Sequence, residues 1–449
     1  MSRIGLFVLS SAGLMVGCGG KETASDDGAS DPTWHQDISP IVQGRCVSCH
    51  SDGAIAPFAL SDYADAAPLA DALAGSVEAR TMPPWGAEAG HRAYLQDPSL
   101  TDAQVRLFRA WAEAGAPEGD ASAAADPLPL VDSSSIRVDT VLRSDEPYTV
   151  QGDPDDYRCF VVDFPESPES QWVTGFSADV DNAVVVHHVA AFLFRPDGVM
   201  GESVFDTLAA WEDLDDEPGY TCYGGPGGDS STQVPAQQLG QWVPGMGDLA
   251  FPMGAGIEVP PGSKVVLQLH YFHPDGDTQV DQTGLGIELE DSVSLAGAFA
   301  PWLSGVWPTG GMEIPAGEAH VEHTTEGDPR TFFEFLVGGL DLSAGFDVHS
   351  ALFHMHQLGV RGELEVTHAD GSSEVVVVVD PWDFNWQRVY QLEESIAFRD
   401  GDSLRVTCIY DNSADNPNTG GSPVDVNWGE GTQDEMCVGN LFVTVPEAR

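Results

Sequence analysis

"ALFHMHQLGV", residues 351–360, is the stretch on which the reading of the chain turns. In an extended strand alternate side chains share a face. His354 and His356 then point together, and Met355 points away. Two imidazoles side by side in an apolar run are either incidental neighbours or half of a metal site, and the rest of the sequence has to decide. The runs "VVLQLHYF", "SEVVVVVD" and "DSLRVTCIYD" share this texture: short, β-branched, and separated by Gly, Pro, Asp and Asn. From about Val131 onward the chain reads as all-β. Roughly 320 residues suit two β-sandwiches better than one. The divide is expected near residue 297, after "GIELEDSVSL", giving units at 133–297 and 298–449.

The 449 residues carry 71 Asp+Glu against 18 Lys+Arg, a formal net charge of -53. That balance argues against nucleic acid, whose binding needs clustered Lys and Arg. The start, "MSRIGLFVLSSAGLMVGCGG", has a basic residue, an apolar core and a small residue before Cys18. It reads as a secretory signal over 1–17 and resembles a bacterial lipobox, which implies a lipid on Cys18. Residues 18–32 then read as a flexible tether. The expected location is the periplasmic or cell-surface side of a membrane. Gly19 lacks the acid that retains many lipoproteins at the inner membrane, which favours the outer one. Such a compartment is oxidising, so disulfides persist there. Of the seven cysteines, at 18, 46, 49, 159, 222, 408 and 437, four remain if Cys18 carries lipid and two more carry a cofactor. An even number can pair.

"WHQDISPIVQGRCVSCHSDG" contains Cys46-Val47-Ser48-Cys49-His50. C-x-x-C-H is the attachment pattern of a c-type haem: two thiols bond the vinyl groups and the adjacent imidazole reaches the iron. A thioredoxin-like redox pair is the main rival, but no strand precedes it. Zinc would need further ligands nearby. "EARTMPPWG" offers Met82 as second axial ligand, ahead of His91 and His35. Thr101 and Gln104 form a capping box for a closing helix, and "GAPEGDASAAADP" breaks the pattern. Residues 33–120 resemble a small all-α class I cytochrome c domain. The linker, 121–132, is expected to let that domain swing.

The β-rich part holds four more fragments: "DNAVVVHHVAAFLF" with His187 and His188, "VVLQLHYFHP" with His270, the opening stretch, and "TQDEMCVGNLF" with Met436. Singly, each has a bland reading as a core or surface residue. Adjacent His187 and His188 cannot share a face of a regular strand; they converge only at a bulge or strand end. Together and in this order, "HHVAAF", "QLHYF", "HMHQLG" and "DEMC" resemble the copper type II, ascorbate-dependent monooxygenases, which include peptidylglycine α-hydroxylating and dopamine β-monooxygenases. "IPAGE" at 314–318 and "DFNWQ" at 383–387 look like sequence of the same family.

The resemblance implies two jelly-roll domains, each with one copper ion. His187, His188 and His270 would hold the electron-transfer copper. His354, His356 and Met436 would hold the copper that meets oxygen, a soft thioether favouring Cu(I). Cys408 and Cys437 would pair beside Met436, and Cys159 with Cys222. Spacing alone allows three pairings, and this one keeps each bridge within a domain. Peptide-amidating members have an Arg two residues before the His-x-His and a Tyr four after the Met, which hold the substrate carboxylate. Here those positions are Leu352 and Asn440, which puts peptide amidation in doubt. The activity implied is C–H hydroxylation with O2 on a small-molecule or peptide substrate. Electrons would come from the fused haem, ascorbate or another reductant. The alternative is a copper- and haem-binding electron-transfer lipoprotein without hydroxylase activity.

Overall fold

The computed structural model describes residues 31–445 apart from 53–55, 131–134, 152–154, 199, 223–224, 229–233, 235, 244–245, 273–277 and 338. The signal segment, Cys18 and most of the tether lie outside the described residues.

Helices cluster at the start: α1 (Ser39–Arg45), α2 (Tyr63–Ala66), α3 (Ala70–Glu78) and α4 (Asp102–Glu113). They enclose a small core of their own around Trp34, Ile38, Val42, Phe108 and Trp111. The capping box of α4 forms: Thr101 Oγ1 accepts from the Gln104 N–H at 3.2 Å, and Gln104 Oε1 accepts from the Thr101 N–H at 2.8 Å. The expected swinging linker is instead folded back. Ala125 N–H donates to the His35 carbonyl and Leu128 N–H to the Pro40 carbonyl, both at 3.0 Å. A strap formed by residues 85–95 also leaves the helices and lies on the β-rich part. It makes bridges at Ala87 with Val379 and Tyr94 with Leu392. With both its exit and its strap bonded, the helical unit is seated rather than loose.

The rest is mostly β-sheet. The first half contains β1 (Thr140–Leu142), β2 (Asp155–Asp163), β3 (Gln171–Asp179), β4 (Val186–Phe194), β5 (Gln237–Trp242), β6 (Ala255–Val259), β7 (Lys264–Phe272) and β8 (Gly284–Glu290). One sheet runs β2-β7-β4-β5, with Tyr220–Thr221 beside β2. It packs face to face on β8, β3 and β6 through Phe160, Val189, Leu267, Phe176, Ile257 and Ile287. The alternation of apolar positions along these strands sets which face enters that core.

The second half contains β9 (Leu295–Trp302), β10 (Val321–Gly327), β11 (Phe346–His354), β12 (Gly359–Thr367), β13 (Ser373–Val379), β14 (Val389–Phe398), β15 (Ser403–Tyr410) and β16 (Val438–Thr444). A sheet β10-β15-β12-β13 packs on β9, β16, β11 and β14. The two halves share one nine-stranded sheet, in the order β1-β8-β3-β6-β9-β16-β11-β14, with Leu249–Ala250 beside β3. The joint is β9. Leu295 and Ala296 pair in parallel with β6, and from Gly297 the strand pairs antiparallel with β16. Residue 297 therefore lies inside a strand that serves both halves.

Candidate metal centres

His270 on β7 stands opposite His188 on β4. Beyond this pair the ladder slips: Tyr271 faces Val186, and His187 is the extra residue. That bulge turns two adjacent imidazoles to one side, which a regular strand cannot do. Nδ1 of His188 is 3.4 Å from Nδ1 of His187 and 3.4 Å from Nδ1 of His270. Nitrogens bound tetrahedrally to one ion at about 2.0–2.1 Å stand roughly 3.3–3.4 Å apart, so the cluster has the spacing of a metal site. His270 Nε2–H donates to Asp155 Oδ1 at 2.8 Å, the carboxylate–histidine pairing that fixes a ligand's tautomer. The Tyr157 ring stacks on His270 with centroids 4.1 Å apart. Burial pushes His187 down to about 4 and His188 well below the usual imidazole range. Both keep a free lone pair at neutral pH.

The second cluster starts where β11 ends. Met355 is fully buried in the core, and the His354 and His356 rings stand 5.0 Å apart. Each Nδ1–H is spoken for: His354 donates to Gln387 Oε1 at 2.7 Å and His356 to the Asp434 carbonyl at 3.0 Å. With its Nδ1–H so engaged, His354 has Nε2 to offer a ligand. Burial lowers both imidazoles, His356 to about 3. Met436 is buried and arrives from a remote part of the chain. The buried carboxyl group of Glu435 accepts the N–H groups of His356 at 2.8 Å, Leu358 at 2.6 Å and Met436 at 3.3 Å. Tyr410 O–H donates to the Met436 carbonyl at 2.7 Å. Cys437, next in the chain, is bonded to Cys408. Cys159 is bonded to Cys222, so both bridges are those expected.

The clusters face one another. A cavity of about 340 Å³ between the halves is lined by His187 and His270 on one wall and by Trp382, Phe384 and Asn385 on the other. The Phe384 ring stands 5.8 Å from that of His187 and 6.0 Å from that of His356, so one side chain touches both clusters. Asp155, besides holding His270, is 3.4 Å from the Thr432 hydroxyl of the other half. Among the described lining residues no Lys or Arg is present, while Asp155 and Asp383 are. Leu352 and Asn440 are cross-strand partners on β11 and β16. Leu352 is buried, and the Asn440 amide donates to Gln238 Oε1 across the halves.

Residues 305–443 match the family model described as copper type II ascorbate-dependent monooxygenase, C-terminal domain. The match contains His354, His356, Met436 and the loop that carries Phe384 and Gln387. The chain is also similar to MOXD1 homolog 1 of Drosophila melanogaster, 24% identical over 297 residues. That is 64% of this chain but 39% of the relative, so the chain spans well under half of that protein. Solved structures of infectious bursal disease virus Gx strain and of its VP2 subviral particle are 11% and 10% identical. Each covers 70% of this chain, with 73% and 74% of the viral chains covered, at TM-scores of 0.16 and 0.17. Scores this low carry no argument.

In the helical unit, Cys46 and Cys49 form no disulfide. His50 Nδ1–H donates to the Phe58 carbonyl at 3.1 Å, and Nε2 has no hydrogen-bond partner among the described residues. Burial, then Cys49 nearby, pushes the Cys46 thiol up to about 12, the opposite of an activated redox thiolate. Phe58 and Met82 are 44% and 37% exposed, large apolar side chains only partly covered by protein. His91 bonds to Glu88 at 3.1 Å and His35 lies 3.5 Å from Glu118.

Sequence reasoning did not single out Asp155, Phe384, Gln387 or Glu435. "DFNWQ" and "DEMC" were visible as words, but which atoms of them touch the histidines depends on loops folded around the clusters. Asp155 lies 115 residues before His270, and nothing local marks it.

Proposed function

We propose that the chain is a copper-dependent monooxygenase that places one oxygen atom of O2 in a C–H bond of its substrate. The observation that carries this is the His187, His188 and His270 cluster at metal-binding spacing, with Phe384 against both it and His356, and with Met436 tied to the His356 turn through Glu435. Copper at His354, His356 and Met436 would supply oxygen activation, and copper at His187, His188 and His270 would supply the second electron. The chain's own residues do the rest. Asp155, Gln387 and the Asp434 carbonyl set three ligand tautomers, and Trp382 and Phe384 keep the wall between the clusters apolar. The cavity presents carboxylates and no cation among its described lining residues, and the carboxylate-binding positions are Leu352 and Asn440. The substrate is therefore read as neutral or cationic, without a free carboxylate.

The helical unit is read as the holder of one haem c. Cys46 and Cys49 would form the thioether links, and His50 Nε2 and Met82 would be the residues that hold the iron. The His50 to Phe58 bond fixes the tautomer this needs, and the group would cover Phe58 and Met82. Its one-electron chemistry would make it the internal donor, with ascorbate or another reductant as external source. Lipid attachment at Cys18, holding the protein on the periplasmic or surface side of a membrane, completes the reading.

The test is anaerobic copper loading of the full chain, metal analysis, and oxygen-dependent mass gain on a panel of neutral and cationic compounds. Two coppers per chain and an oxygenated product are expected, with Met436→Ala retaining one copper and losing product. One copper in the wild type overturns the two-centre reading. Two coppers without any oxygenated product would favour the electron-transfer alternative. A pyridine haemochrome spectrum tests the haem separately.

A further inference from the structure

Residues 380–388 connect β13 to β14 and touch both clusters. Trp382 Nε1–H donates to the His356 carbonyl at 2.9 Å, the Phe384 ring touches those of His187 and His356, and Gln387 accepts from His354. Trp382 N–H also donates to the Val360 carbonyl of β12 at 2.9 Å, and beyond it local turns follow, such as Trp386 N–H to the Asp383 carbonyl at 3.0 Å and Gln387 Nε2 to the Phe384 carbonyl at 3.2 Å. Its two ends are held by the helical unit. At the front, Asp380 N–H donates to the Gly86 carbonyl at 2.9 Å. At the back, the Arg388 guanidinium lies 5.5 Å over the Trp85 ring, and the Tyr390 ring meets that same indole edge-on at 5.1 Å. A Cβ on Gly86 would sit 2.8 Å from Val379 Cγ1 and 3.0 Å from the Tyr390 hydroxyl, so only glycine allows this approach. The strap is anchored independently: Arg92 donates to the Val375 and Glu394 carbonyls at 3.1 Å each, and Tyr94 O–H to the Val376 carbonyl at 3.0 Å.

We infer that Trp85 and Gly86 are positioning residues for the His354, His356 and Met436 centre. By bracing both ends of the 380–388 loop they hold Gln387 against His354, so the helical unit tunes the metal affinity of that centre. The inference rests on the copper reading of the centre and is independent of the haem. A glutamine side chain left free loses its bond to rotamer entropy. Loss of an outer-shell partner typically costs about 10–100-fold in metal affinity. The cation–π contact of Arg388 with Trp85 is the link that a ring, and not an alkyl group, can make.

The experiment is competitive Cu(I) titration of the full chain against a chromogenic chelator. It compares wild type, Trp85→Ala, Trp85→Phe, Gly86→Ala, Gln387→Ala and the Trp85→Ala/Gln387→Ala pair, with Cu(II) EPR of each. Trp85→Ala and Gly86→Ala should weaken the Met436 centre by about tenfold and leave the His187, His188 and His270 centre unchanged. The untouched centre reports that the protein has folded. Trp85→Phe should recover most of the loss. The double variant should be no weaker than Gln387→Ala alone, because both act through one hydrogen bond. Trp85→Ala and Gly86→Ala with wild-type affinity and EPR, or fully additive losses in the pair, would overturn the inference. Absence of copper from the Met436 centre in the wild type would instead bring down the copper reading, a distinct result.

Discussion

The Glu435 carboxyl group accepts the N–H of His356 at 2.8 Å while its own chain neighbour is Met436. One buried acid thereby staples the turn that delivers an imidazole to the segment that delivers a thioether. Glu435→Gln preserves volume but turns an amide donor toward backbone donors. An unsatisfied buried group costs about 1–3 kcal/mol. The variant should lose about 1–3 kcal/mol of unfolding free energy and lose copper from the Met436 centre first, measured by urea titration with metal analysis at each step.

Asp155 does for His270 what Gln387 does for His354. Asp155→Asn removes the charge that orients the ring and should weaken copper at the His187, His188 and His270 centre by about 10–100-fold. The Met436 centre should keep its affinity. Chelator competition read separately by EPR tells the two apart, and equal weakening of both would contradict the assignment of Asp155 to one cluster.

The two disulfides close loops of 29 and 63 residues, for which chain entropy gives about 3–5 kcal/mol each. Their positions separate them. Replacing Cys408 and Cys437 by serine should release Met436 as well as lower stability, whereas replacing Cys159 and Cys222 should lower stability with both centres loaded. Copper content after gel filtration distinguishes the cases.

His368 sits on the β12–β13 hairpin, donating to Asp402 Oδ2 at 3.0 Å and to Glu374 Oε1 at 3.1 Å. Both bonds at once need the imidazolium. The Asp402 bond is the main cause that raises its proton affinity above the usual imidazole value. A raised folded-state value stabilises fully below the ordinary histidine range and is lost as pH rises through the folded value. Wild-type Tm should therefore fall more between pH 6 and pH 9 than that of His368→Gln. An identical fall in both proteins would show that the hairpin does not sense this group.

Much of the molecule was legible in the chain. The face shared by His354 and His356 follows from strand alternation, with Met355 in the core as its counterpart. The convergence of His187 and His188 required a bulge, but its place is set by the ladder between β4 and β7, where His270 pairs with His188. The strap left no such trace. Arg92 and Tyr94 bind backbone carbonyls of β13 and β14, and a carbonyl has no signature in sequence. For the same reason the chain after α4, with its Ala, Asp, Gly and Pro, read as loose although its N–H groups find the helical unit. Phe384 and Gln387 were letters in a family word until a folded loop gave them neighbours.

Phe299 on β9 and Phe442 on β16 belong to the second half by strand pairing, yet they pack in the core of the first. Their rings lie 5.7 and 4.6 Å from that of Phe251. Severing the chain at 297 would strip one half of two aromatic walls and leave the other with them bare to water. The halves thus own no separate free energies of unfolding. Calorimetry of the β-rich part should give a single endotherm whose van't Hoff and calorimetric enthalpies agree, and neither half should survive as a recombinant fragment.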